Sequence, residues 1–154
     1  MTGRGDGKPG AAGGLTRHVP VLLGRRPVEA DDDELRRFHL RLIDAAHSIR
    51  GGTWATCAAT GWSDNTSCEQ LLSWSWRDRN RRAVVVVNHG DDTATARIHM
   101  PWDDLAGMTW QLDDCIGGGS YLRDGDDMAS NGLFVGLAPW ASHLFVLIPI
   151  MKAT

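Results

Sequence analysis

The chain has 154 residues, 42% of them apolar and 23% charged, enough for one well-buried core and few for two. A net charge of −3, a pI near 6.0 and the lack of a dense basic cluster exclude nucleic acid and anionic membrane as expected partners. The longest apolar stretch, LFVLI at 144–148, falls far short of a membrane span and reads as a buried strand closed by Pro149.

Residues 1–14 hold six glycines and no apolar run, so they read as a flexible leader without the hydrophobic region of a secretory signal, and the expected compartment is cytoplasmic. Within it, Arg4-Gly5-Asp6 is a chance tripeptide, and Gly7-Lys8 is followed by Pro9 where a phosphate-binding loop needs Ser or Thr. Pro27 and the acidic run Asp31, Asp32, Asp33 and Glu34 then provide a helix start, where carboxylates meet free N–H groups and the positive dipole end. A helix over 32–49 is expected, with Leu35, Phe38, Leu42, Ala45, Ala46 and Ile49 on one face and Gly51-Gly52 as its stop.

After Gly52 the period changes to that of strands, expected at 53–58, 69–77, 83–88, 93–100, 108–113, 133–137 and 142–148. In the second of these, Leu72, Trp74 and Trp76 share one face while Ser73, Ser75 and Arg77 share the other, the pattern of a half-buried strand. Asp78-Arg79-Asn80-Arg81 forms a hairpin turn, and Val84 to Val87 is apolar on both faces, as in mid-sheet or beneath a neighbouring domain. About seven short strands without a second long helix predict a mainly β fold, an antiparallel, Greek-key-like β-sandwich preceded by one α-helix. Cys57, Cys68 and Cys115 lack CxxC spacing and read as small buried hydrophobes rather than a disulfide or zinc framework.

Four segments carry a family resemblance: VPVLLGRRPVEADDDELRRFHLRLI from Val19, RGGTW from Arg50, LLSWSWRDRNRRAVVVVNHGDDTATARIHMP from Leu71, and WQLDDCIGGGSYLRDGDDMASNGLFVGLAPWASHLFVL from Trp110. In this order they resemble the end of an α-amylase-family glycoside hydrolase, from the segment leading through its last barrel helix to its C-terminal β domain. After the leader at 1–14, the resemblance implies two parts: a last-barrel-helix segment at 15–50 and a β-sandwich domain at 51–154. The family's nucleophile, general acid and stabilising carboxylate stand on a (β/α)8 barrel of roughly 250 residues, which this length cannot contain. No catalytic residue carries over, and the chain alone is expected not to hydrolyse α-glucans.

Asn88-His89-Gly90-Asp91 is similar to the family's Asn-His-Asp element, but Gly90 interrupts it and a hairpin turn is the expected reading. The Asp pairs at 91–92, 103–104, 113–114 and 126–127 are expected as solvated turns, because adjacent residues do not hold two carboxyls about 5–9.5 Å apart around a glycosidic bond. Asp124-Gly125-Asp126-Asp127 lacks the spacing of a calcium loop, Gly117-Gly118-Gly119 precedes no amphipathic helix and reads as a flexible connection, and the six histidines have no metal-ligand spacing. No metal or cofactor is expected.

The seven tryptophans are the strongest functional hint, since aromatic faces stack on sugar rings. Trp54, Trp74, Trp76 and Trp110 fall in strands and are expected in the core. Trp62, Trp102 and Trp140 fall in connections, where they plug the sandwich ends or offer sugar platforms, Trp62 with Asp64 and Asn65 being the best candidate. Three functions follow as expectations: a non-catalytic β domain bracing an absent barrel, a carbohydrate-binding module for α-glucan or malto-oligosaccharide, and an interaction domain that recruits a separate barrel or self-associates through the apolar face of helix 32–49.

Overall fold

The computed structural model describes residues 32–151, so the leader at 1–14 and the first half of the 15–50 segment lie outside the described residues. Helix α1 (Asp33–Ser48) opens on Asp33 and Glu34 at its positive end and stops before Gly51 and Gly52, whose φ values of 72° and 66° favour glycine. A Cβ at Gly52 would also strike the Trp76 ring and the Arg77 carbonyl, so the turn off the helix presses directly on the sheet.

Nine strands follow: β1 (Thr53–Thr56), β2 (Ala58–Thr60), β3 (Leu71–Asp78), β4 (Arg81–Asn88), β5 (Ala94–His99), β6 (Thr109–Asp114), β7 (Ser120–Asp124), β8 (Leu133–Leu137) and β9 (Ser142–Ile150). They form two antiparallel sheets, one of six strands ordered β1-β3-β4-β9-β6-β7 and one of three ordered β2-β5-β8. The fold is therefore a mainly β sandwich with an N-terminal helix, as expected, but with two more strands than the periodicity indicated. The expected strand at 53–58 is broken at Cys57, where the chain leaves β3 of the large sheet for β5 of the small one. Gly117-Gly118-Gly119 lies in a hairpin connection, as expected, and leads into an unexpected strand, β7, followed by a short helix α2 (Gly125–Asn131) that Asp124 caps by accepting the Asp126 N–H. Strand β9 runs past Pro149 because its pairing with β4 ends at Leu147, leaving that side free of any ladder bond the proline would break.

The core lies between the sheets. Val84 and Val86 of β4, Trp110 and Leu112 of β6, and Phe145 and Leu147 of β9 meet Ala94, Ala96 and Ile98 of β5 and Leu133, Val135 and Leu137 of β8. At one end Trp102 and Leu105, on the β5–β6 connection, close this core, with Trp110 Nε1 donating to the Leu105 carbonyl at 2.9 Å. Buried Arg82 sits with its guanidinium 5.9 and 4.9 Å from the Trp102 and Trp110 rings and is ion-paired to Asp104.

The β3–β4 hairpin turns on Arg79 and Asn80, and Arg79 has φ 55°. A positive φ at the first turn residue alone is the pattern of a type II′ turn, which favours glycine there. Arg79→Gly is expected to raise stability by about 1 kcal/mol, read as a higher thermal midpoint. A lower midpoint would show that the arginine side chain matters more than its backbone strain.

Candidate functional site

Strand β3 faces the opposite way from what its composition suggests. Ser73 and Ser75 point to the core side and are buried, their hydroxyls donating to the carbonyls of Cys57 (3.0 Å) and Ala55 (3.4 Å). Leu72, Trp74 and Trp76 point outward, in register with Val87, Val85 and Ala83 of β4. Those β4 positions lie in register with Ser142, Leu144 and Val146 of β9, and Ile148 and Ile150 continue the same row. The outer face of the large sheet is therefore apolar along its middle, on the side away from the sandwich core.

Only part of that face is covered. Ala45, Trp76, Ala83 and Leu144 are buried without belonging to the main core, forming a second layer on the face where the end of α1 rests. The contact is held by Trp76 Nε1, which donates to the Gly51 carbonyl at 2.7 Å, and by Arg81, which donates to the Ser48 carbonyl and lies 5.2 Å over the Trp76 ring. A cleft remains between Ser48 and Ile49 of the helix end and Trp76, Val146 and Ile148 of the sheet. Beyond it Trp54 is 48% exposed, Leu72 46% and Ile148 44%. On α1 itself only Ala45 is buried, while Leu35, Leu42 and Ile43 are 52%, 38% and 50% exposed. An amphipathic helix and an apolar sheet face lie side by side with much of their apolar surface in water.

The candidate sugar residues do not form one site. Trp62 is exposed and stacks on exposed Phe134 of β8, ring centroids 6.4 Å apart and planes 28° from parallel, so one of its faces is already taken. Asp64 is exposed beside it. Asn65 is a structural clamp, donating to the Thr95 carbonyl and hydroxyl and accepting from the Ser67 backbone and hydroxyl. Trp102 is buried in the core plug and presents no face to solvent. Trp140 is the most open of these rings, and its Nε1 donates to Asp91 at 3.0 Å. Of the four tryptophans expected in the core, Trp76 and Trp110 are buried, whereas Trp54 and Trp74 lie on the outer face.

The remaining motifs are structural. Asn88 is fully buried, donating to the carbonyls of Asp92, Leu137 and Ala138 and accepting from the Gly90 N–H, so it ties the β4–β5 turn to the β8–β9 turn. Asp104 pairs with Arg77 and Arg82, and Asp127 with Arg97 at 3.2 Å, while Asp126 accepts the Gly107 N–H. The expectation of solvated turns fails at Asp126-Asp127, which lie in the first turn of α2, and at Asp113-Asp114, which both belong to β6 and point to opposite faces, with Asp114 buried. Burial pushes the Cys57 and Cys115 thiols above their ordinary range, which makes them weak nucleophiles. Among the described residues no group of three or more His, Cys, Asp or Glu side chains could hold a metal ion, and no helix is long and apolar enough to cross a membrane.

No protein-family model matches the sequence, and no curated protein matches it either.

Proposed function

We propose that this chain is a non-catalytic β domain of an α-amylase-like glycoside hydrolase and that it braces a (β/α)8 barrel. The observation that carries this reading is the apolar outer face of the six-stranded sheet, with Trp54, Leu72 and Ile148 exposed beside the open face of α1. A sandwich that already has a core on its other side has no need of tryptophan and leucine there, and such a patch on a folded domain marks a docking surface. The occupant is a barrel, because the helix lying against the patch belongs to the segment that resembles a last barrel helix, so helix and sheet present one continuous surface to the layer that helix would join.

Mixing the chain with an α-amylase-family barrel stripped of its own β domain is expected to give a one-to-one complex by light scattering. Leu72→Asp with Ile148→Asp should weaken that complex about 100-fold, by placing two unpaired carboxylates in a dry contact. Both positions are half exposed, so the thermal midpoint of the chain alone should stay within a few degrees. A chain that binds no such barrel, or that buries this face in a dimer of its own, would defeat the reading.

A further inference from the structure

We infer that the slot between edge strands β7 and β8 is a binding site for one pyranose ring of a neutral saccharide. The sandwich is closed on one side by the chain crossing at Cys57, whereas on the other β7 ends the large sheet and β8 ends the small one. Leu112, Tyr121, Arg123, Phe134, His143 and Phe145 line the opening between them. The slot draws on the core-side residues of β6, β7 and β9 and shares none with the outer apolar face.

His143 is the polar centre of the slot. Its Nδ1 lies 2.7 Å from Oδ2 of Asp114, whose side chain is 1% exposed. Oδ1 of the same carboxyl accepts the N–H groups of Ile116 at 3.0 Å and Leu144 at 3.3 Å. Burial alone would raise the Asp114 carboxyl, but the bonds from His143 and from the Gly117, Ile116 and Leu144 backbone outweigh it and hold the group below its ordinary range. An ionised carboxylate only accepts, so Nδ1 presents a proton to Asp114, and Nε2 is left without a partner among the described residues.

Arg123 supplies donors to the same slot. It is half buried, donates to the Leu122 carbonyl at 2.9 Å, lies 5.5 Å over the Tyr121 ring, and has no carboxylate partner among the described residues. The apolar surface is aromatic: the His143 ring stacks on Phe145 at 4.7 Å and Tyr121 meets Phe145 edge-on at 5.8 Å. At the rim stands exposed Phe134, with Trp62 stacked against it.

A free imidazole nitrogen, guanidinium donors with no carboxylate partner and aromatic faces together suit a ring whose hydroxyls both donate and accept and whose C–H face is apolar. A purely apolar ligand would leave the polar groups unpaired. The buried Asp114 charge behind His143 offsets Arg123, so an anionic ligand gains little over a neutral one.

The test follows the imidazole resonances of His143 by NMR, and Trp62 emission, while maltotriose, cellotriose and glucuronate are added to the full chain. A saturable shift with a neutral saccharide is expected, weakened at least tenfold in Arg123→Met, whose fold should persist because it loses no ion pair. His143→Phe, checked for folding by its thermal midpoint, should abolish the Trp62 response. Three results overturn the inference: no shift at about 50 mM sugar, enough to fill most of a site as weak as roughly 5 mM; a response to glucuronate alone; or affinity unchanged in Arg123→Met. Barrel docking is read by complex formation and is untouched by any of them.

Discussion

Trp110→Ala is expected to lower stability by about 3–5 kcal/mol, a fall in thermal midpoint of roughly 10–20 °C for a domain of this size. The indole is 1% exposed inside the core, against the plug at its end, so its removal leaves a cavity that strands paired on both sides of β6 cannot readily close. It also leaves the Leu105 carbonyl without its donor and strips Arg82 of the nearer of its two aromatic faces. Trp140→Ala is the matched control: that ring is 67% exposed and loses one hydrogen bond to Asp91, so a change of about 1 kcal/mol or less is expected. Equal losses in the two variants would show that the core is not where the burial pattern puts it.

Acid should act chiefly through Asp114. Its folded carboxyl is held below the ordinary value, so in the window between that lowered value and the unfolded one near 4 the unfolded chain binds the extra proton. The stabilisation is therefore complete above about pH 4 and is lost as pH falls through the folded value. Asp113 and Asp127 are lowered too, by hydrogen bonds from Ser120 and from Asn131 respectively, but both are open to solvent and add little to the slope. Asp114→Ala is expected to cost about 3 kcal/mol near pH 7, because it orphans the Ile116 and Leu144 N–H groups and the His143 Nδ1–H around a buried position. Urea midpoints measured from pH 7 down to 3 should fall for the parent chain and flatten for the variant. Parallel curves would assign the acid response to other groups.

Periodicity alone located most of the fold. The helix expected at 32–49 is Asp33–Ser48, and the strand expected at 133–137 is β8 itself. What escaped has specific causes. A strand that changes sheets at one residue leaves its alternation unbroken, so the Cys57 crossing has no local signature. Helix α2 is two turns long and opens on Gly-Asp-Asp, residues typical of turns, while β7 alternates too briefly to stand out. Alternation in β3 separated Ser73 and Ser75 from Leu72 and Trp74 but could not say which set faces the core. The tertiary fit decided, because small side chains whose hydroxyls bond the adjacent β1 segment fill the sandwich near its closed side. The slot was invisible for a simpler reason: Asp114, Tyr121, Arg123 and His143 come from three strands and make no motif in the chain. Trp62, singled out for its polar loop, does stand at that slot's rim through Phe134, which only the β5–β8 pairing brings near.

The position of β9 has a kinetic consequence. It is the last of the described strands, yet it lies between β4 and β6 near the centre of the large sheet. Until residues 142–150 are in place, β3-β4 and β6-β7 are two separate hairpins, each offering an unpaired edge to whatever strand arrives first. Folding must await a pairing made across more than fifty residues from Val84 to Phe145, which places the rate-limiting closure late and makes the domain slow by topology rather than by instability. During synthesis those two edges stand open until β9 emerges, and in that interval pairing with another chain competes with folding.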